Sequence, residues 1–399
     1  MQTQLDQDFL GTGEGQLAND ILRKCVHCGF CNATCPTYQL LGDELDGPRG
    51  RIYQVKQYLE GAPANDEILK HLDRCLTCRA CETTCPSGVD YSQLLEIARP
   101  AIEKDLQRPV LERLKRWTIL RLINSGAFFK GIISMAQFVA RVLPSGLQQA
   151  IPPRQEITRR RQGKHDRKML LLAGCVQPVF TPNTNQHAVN ILDQVGIEVI
   201  ELEANLCCGS AAMHTSDMER GLQQARGLID AWWPYVENGI EAIIVSASGC
   251  GVTVKEYGRL LASDEKYAAK ARRVSELTRD LVEVIAANAD RMPAGQERAR
   301  RVAVHTPCTM QHGLGITGCI EQILKKAGYE LCQTEEKHLC CGSAGSYSLL
   351  QGTISRQLRE RKLVALSSDK PDIIVTANVG CQAHLSHGDI PVVHWIELL

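Results

Sequence analysis

From Lys168 onward, short apolar runs alternate with longer amphipathic stretches. KMLLLA, AIIV, VAV and DIIV are hydrophobic runs of strand length, with helical segments between them. Strands alternating with helices predict a doubly layered α/β region. Before Lys168 the pattern is helical. RGRIYQVKQYLEG and ANDEILKHLDRC carry apolar residues at spacings of three and four, and so does VLERLKRWTILRLINSGAFFKGIISMAQFVARVL. The first 20 residues are polar with scattered glycines and read as a mobile lead-in. GTGEG, from Gly11 to Gly15, echoes a dinucleotide loop, but no strand precedes it and its spacing is wrong.

Eighteen cysteines give this outline its chemistry. MQTQLDQDFL has neither a basic n-region nor an apolar h-region, so no secretory signal is expected. In a reducing compartment, cysteine-rich sequence points to metal or redox chemistry rather than disulfides. No apolar run reaches the roughly 18 residues that a spanning helix needs. Basic and acidic residues balance at 45 each, which argues against a bulk nucleic-acid partner. The expected location is the cytoplasm, or the cytoplasmic face of a membrane.

CVHCGFCNATCP begins at Cys25 and is answered by CLTCRACETTCP at Cys75. Each is Cys-x-x-Cys-x-x-Cys-x-x-x-Cys-Pro, the run in which three thiolates hold one 4Fe–4S cluster and the fourth reaches to another. On that pattern Cys25, Cys28, Cys31 and Cys85 hold one cluster, while Cys75, Cys78, Cys81 and Cys35 hold the second. Zinc also accepts four thiolates, but structural zinc needs neither a fourth cysteine per run nor a closing proline. The runs start 50 positions apart with helical sequence between them, which points to an α-helical ferredoxin. His27 and His71 lie near these cysteines and read as outer-sphere or surface residues.

The α/β region contains an internal repeat. Its first copy carries Cys175, then LCCG with Cys207 and Cys208, then Cys250; the second carries Cys308, LCCG with Cys340 and Cys341, and Cys381. Cys175 to Cys207 and Cys308 to Cys340 both span 32 positions. Each copy gathers four thiols at the carboxyl ends of strands, where open α/β sheets bind ligands. An iron–sulfur cluster, zinc and free thiols remain open there, with a cluster in at least one copy expected. Cys319 and Cys332 fall outside the repeat and read as packing residues. His305, His312, His338, His384 and His394 read as structural. Residues 107–168 hold 14 Lys and Arg against 3 Asp and Glu, with Trp117, Phe128, Phe129 and Phe138 interspersed. Either this is a helical pair packed on protein with its basic face solvated, or Lys115, Arg116 and Arg121 face anionic headgroups.

The division that follows is α + α/β. Residues 1–20 form a lead-in, 21–105 an α-helical two-cluster ferredoxin domain, and 106–167 a basic helical connector and linker. Residues 168–290 and 291–399 form a duplicated α/β cysteine-rich (CCG) domain. The twin CxxCxxCxxxCP runs, DGPRGRI at Asp46 to Ile52 and two C…CCG…GC repeats together resemble the glycolate oxidase iron–sulfur subunits. Lactate-utilisation, anaerobic glycerol-3-phosphate dehydrogenase and heterodisulfide reductase subunits resemble the chain more distantly. The resemblance implies an oxidoreductase complex in which FAD-containing flavoprotein partners oxidise glycolate and this subunit relays electrons to a quinone, peripherally at the inner membrane. Lactate or glycerol-3-phosphate as the partner's substrate, and a heterodisulfide-reductase-like catalytic role, are the alternatives. The endings SGCGVT and VGCQAH lack the terminal Cys-x-x-Cys of the disulfide-cleaving relatives, which weighs against that last role. No flavin or nicotinamide loop is present, so hydride chemistry is assigned to a partner and no residue here is expected to be catalytic.

Overall fold

The computed structural model describes residues 1–139, 155, 162–202, 206–292 and 298–399. Most of the expected linker, and the end of the basic apolar stretch beyond Val139, lie outside the described residues. The N-terminal unit is helical throughout. Helices Gly13–Lys24, Pro48–Leu59, Asp66–Asp73 and Tyr91–Asp105 bury Ile21, Leu22, Val55, Leu72, Leu94 and Ile102 in one core. Pro48 opens its helix at the position where a missing N–H costs nothing. Asn65 caps the next helix by accepting from the Ile68 N–H at 2.9 Å.

The first 20 residues are not a loose lead-in. Leu5, Ala18 and Ile21 are buried in the same core, because every third or fourth residue of Gly13–Lys24 is small or apolar. GTGEG is the junction between the helices Gln7–Leu10 and Gly13–Lys24: Thr12 caps the second by accepting from the Gly15 N–H at 3.0 Å. A Cβ on Gly15 would lie 1.9 Å from the Phe9 carbonyl oxygen, so only glycine fits.

The connector forms helices Val110–Ile123 and Ala127–Val139, bent by 92° at their junction. No single helix among the described residues is long and apolar enough to cross a membrane. Phe129 is buried and stacks on Phe180, which fastens the pair to the α/β region. Trp117, Phe128 and Phe138 are exposed. Lys115 and Arg121 face solvent as expected, but Arg116 turns inward and pairs with Asp73 at 2.9 Å. Asp73 already receives both arms of Arg108, so it draws a second guanidinium out of the solvated face.

Two four-stranded parallel sheets follow. Strands β1 (Arg167–Leu172), β2 (Ile197–Glu201), β3 (Ala242–Val245) and β4 (Thr278–Asp280) lie in the order β2-β1-β3-β4. Strands β5 (Arg298–His305), β6 (Tyr329–Leu331), β7 (Ile373–Thr376) and β8 (Val392–His394) repeat it as β6-β5-β7-β8. Met169 and Leu171 share a core with Val302 and Val304, whereas Leu170 and Leu172 pack on the opposite face with Trp232 and Ile243. Burial on both faces is why these strands read as unbroken apolar runs. The repeats are tied together near their carboxyl edges, where His394 Nε2 donates to the Ser246 carbonyl at 3.0 Å.

Gly15→Ala should cost about 1–3 kcal/mol through the enforced backbone shift. Gly13→Ala, with open space around it, should stay within about 0.5 kcal/mol. Thermal unfolding of the two variants beside the wild type checks this; equal midpoints would show that the junction gives way freely.

Candidate iron–sulfur sites

Each Cys-x-x-Cys-x-x-Cys loop winds inward by the same device. His27 and Gly29 in the first run, and Thr77 and Arg79 at matched places in the second, have positive φ, from 52° to 86°. Left-handed residues two apart curl the backbone so that the thiols converge. One small cavity is lined by Cys25, Cys28, Cys31 and Cys85, with Cys81 at its edge; another is lined by Cys35, Cys75, Cys78 and Cys81. Burial, then the charges of Cys25 and Cys85, push the Cys31 thiol up to about 11. Burial pushes Cys81 well up, and Cys78, Cys75 and Cys35 add to it. Cys85 therefore sits with the first run and Cys35 with the second. Four soft sulfurs gathered at each site fit an iron–sulfur group, because ionising them together needs a compensating cation.

Behind Cys35 lies a charged cluster from DGPRGRI. Arg51, 1% exposed, donates to the His71 carbonyl at 2.8 Å and to Thr37 Oγ1 at 3.1 Å, and its Nη1 lies 4.0 Å from Cys35 Sγ. Asp46, fully buried, takes His71 Nδ1 at 2.9 Å and Arg74 at 2.7 Å. Burial alone would lower the Arg51 pKa, but Cys75, Tyr91, Cys35 and Asp46 hold it above its ordinary value. His71 thus lies one layer behind the thiols. His27 lies at the surface, edge-on to Tyr53.

In the cysteine-rich repeats, Cys175 and Cys308 follow β1 and β5, while Cys250 and Cys381 sit in the first turn of helices after β3 and β7. Cys175 and Cys207 Sγ are 3.6 Å apart; Cys308 and Cys340 are 3.7 Å apart, and Cys341 and Cys381 3.2 Å. The thiols of the first copy share their protons: hydrogen bonds from Cys175 and Cys208 pull Cys207 down, and push those two partners up. The glycine of each CCG is required in the same way. Gly209 and Gly342 have φ of 88° and 90°, and a Cβ would meet the carbonyl oxygens of Gly221 and Ser355 at 2.5 and 2.6 Å.

All eight of these thiols, together with Cys78, line one cavity of about 1240 Å³ between the repeats and the helical unit. Leu76 and Cys78 pack in the same apolar cluster as Cys340 and Tyr347, and the Tyr347 hydroxyl donates to the Arg74 carbonyl at 3.0 Å. Arg79 pairs with Glu256 at 2.5 Å, and His312 Nδ1 meets Thr83 Oγ1 at 2.8 Å. The second run thus faces the α/β region. No sequence pattern points to this docking, since its partners are more than 100 positions apart. Cys332 is buried in the second repeat, and Cys319 opens the helix Cys319–Lys326. His384 Nε2 lies 3.3 Å from both the hydroxyl and the carbonyl oxygen of Ser355, His394 donates to the Ser246 carbonyl, and His338 offers its backbone carbonyl to His312 Nε2 at 3.1 Å. His305 stands apart from these: its ring is buried, and burial with Lys362 nearby drives its pKa well below the ordinary value, keeping it neutral.

Removing the buried cation beside Cys35 should make the adjoining centre harder to reduce. Arg51→Gln is expected to shift its midpoint by about 60 mV or more to the negative, a tenfold change in a one-electron equilibrium. Potentiometric EPR titration checks this, and an unmoved midpoint would remove Arg51 from the electrostatics of the site.

The 4Fe-4S dicluster domain family matches residues 21–89, and the cysteine-rich domain family matches 169–255 and 302–386. The glycolate oxidase iron-sulfur subunit of Escherichia coli (strain K12) is 47% identical over 402 residues, covering 100% of this chain and 98% of that protein. The "Probable glycolate oxidase iron-sulfur subunit" of Bacillus subtilis (strain 168) is 28% identical and covers 97% of this chain and 94% of its own length. Lactate utilization protein A of Bacillus licheniformis is 26% identical over 58% of this chain and 98% of its own length. With a relative this similar along its whole length, and with thiol sets suited to iron and sulfur, the chain belongs to the family of glycolate oxidase iron–sulfur subunits and is an electron-transfer subunit of an oxidoreductase complex.

Proposed function

We propose that this chain relays electrons from the FAD of partner flavoproteins that oxidise glycolate to a quinone, at the cytoplasmic face of the inner membrane. In this reading Cys25, Cys28, Cys31 and Cys85 hold one 4Fe–4S cluster, and Cys75, Cys78, Cys81 and Cys35 hold another. At least one repeat quartet, Cys175, Cys207, Cys208 and Cys250 or Cys308, Cys340, Cys341 and Cys381, holds a further cluster. When bound, such clusters take and give single electrons, which suits emptying a two-electron flavin.

The observation that carries the reading is the serial placement of the thiol sets. The first run is at the surface, with Cys28 exposed beside Val26 and Phe30, which are 67% and 64% exposed. The second run faces the repeats, where Cys78 lines the same cavity as Cys308. A flavoprotein docked over Val26 and Phe30 would stand at one end of the series, and the repeat cavity at the other. Glycolate is favoured over lactate because the 47% relative spans the whole chain, whereas the lactate-utilisation relative matches 58% of it. A single terminal cysteine in each repeat makes disulfide cleavage the weaker alternative.

Anaerobically purified chain should carry about eight irons from the two ferredoxin clusters, four per cluster, and about twelve with a four-iron cluster in one repeat. It should not reduce a dye with glycolate alone, and activity should appear on adding the flavoprotein, ahead of lactate and glycerol-3-phosphate. Turnover by the isolated chain would overturn the relay reading.

The bent helix pair supports peripheral docking at the membrane. Trp117, Phe128 and Phe138 project from it, and the Arg121 guanidinium lies 5.4 Å from the Trp117 ring centre. Lys115→Glu with Arg121→Glu should release the complex from anionic vesicles while leaving dye-linked activity intact. Arg116 is left out because its reversal would break the pair with Asp73. Vesicle binding that ignores both the reversals and added salt would exclude an electrostatic membrane contact.

A further inference from the structure

Behind the thiols of the second repeat stands a histidine with no role in the relay described so far. His305 ends β5, is registered against Thr376 of β7, and is 1% exposed. Its Nδ1 lies 2.9 Å from Thr376 Oγ1, which fixes the ring. Its Nε2 has no hydrogen-bond partner among the described residues. A ring nitrogen of His305 and the Sγ atoms of Cys341 and Cys381 all lie within 4.8 Å of one another. With Nδ1 held by Thr376, Nε2 is the nitrogen left to donate. A buried polar atom without a partner is costly, and an imidazole steadied through its other nitrogen is how proteins commonly present histidine to a metal.

The repeats differ here. Cys308, Cys340 and Cys341 follow Cys175, Cys207 and Cys208 at a constant offset of 133 positions, and at that offset His305 corresponds to Leu172. Leu172 is core packing. Lys362 adds to the difference: it is 3% exposed and donates to the Glu336 carbonyl at 2.7 Å, and although burial lowers its pKa, Cys341, Cys340 and Cys308 act against that lowering. A buried cation beside the quartet favours an anionic centre there.

We infer that the second cysteine-rich repeat holds its metal centre through a mixed nitrogen–sulfur set, in which His305 Nε2 ligates beside Cys341 and Cys381. Among the described residues, no histidine or carboxylate groups with the thiols of the first repeat in this way. Soft thiolates with imidazole suit iron–sulfur centres and zinc. In an iron–sulfur centre, neutral imidazole in place of thiolate removes negative charge and raises the potential.

This rests on the reading that the second repeat binds metal, and the test separates the two. Iron and zinc per chain are measured on full-length protein purified anaerobically, as wild type, as Cys341→Ser with Cys381→Ser, as His305→Leu and as His305→Cys. The expected result is that the cysteine pair and His305→Leu lose the same one centre, while His305→Cys keeps it. For an iron–sulfur centre the retained one should reduce at a more negative potential than in the wild type. If the cysteine pair loses metal but His305→Leu does not, His305 is no ligand and the inference is overturned. It is equally overturned if His305→Cys loses metal as fully as His305→Leu, because the loss then reflects packing. Full metal in the cysteine pair would overturn the metal-binding reading itself, and the inference with it.

Discussion

Sulfur atoms crowded together out of water are the constraint on which the rest of this structure depends. Burial raises the cost of ionising each thiol and neighbouring thiols add to it, as the upward shifts at Cys31, Cys78 and Cys81 show. Such a set is tolerable only where positive charge can compensate it. The chain provides part of that compensation itself. Arg51 is buried beside Cys35 and Lys362 beside the second repeat, and each is held by backbone carbonyls that fix its place. The remainder suits iron. In this sense the backbone specials, the buried cations and the thiols form one device.

The same constraint explains which glycines are fixed. At Gly29 the loop must turn left-handed inside a cysteine run, and at Gly209 and Gly342 the backbone must pass against another strand of chain. Arg79 achieves the first conformation without being glycine, and its side chain reaches Glu256 on the first repeat. One strained residue thereby shapes a thiol loop and clamps two units together.

Much of this was legible in the residues. The CxxCxxCxxxCP spacing sorts eight cysteines into two sets, because two-residue spacers leave little freedom in a tight turn. The period of the α/β repeat shows in unbroken apolar runs such as AIIV and DIIV, which only strands buried on both faces need. What was not legible depended on tertiary partners. Residues 1–20 look polar, yet Leu5 and Ile21 are enough to seat them in the helical core. Arg116 looks like its exposed neighbours until Asp73 is placed beside it. His305 reads as one histidine among eleven, and only the register of β5 on β7 brings it to the thiols.

Duplication usually invites the assumption that two copies do one thing twice, and here the packing argues otherwise. The helical unit touches both repeats, but unequally. Its second cysteine run shares an apolar cluster with Cys340 and Tyr347 of the second repeat, whereas its contacts with the first are polar ones such as Arg79–Glu256 and Arg259–Glu96. Apolar contact excludes water between sulfur sets, and low dielectric preserves their electrostatic coupling. Polar contact fixes orientation without drying the gap. The copy that carries His305 and Lys362 is therefore also the copy pressed against the ferredoxin cysteines. Among the described residues the first copy presents its four thiols alone, facing the second across the shared cavity. A duplicated fold has in this way become an ordered pair, with one member placed next to the incoming electrons and the other beyond it.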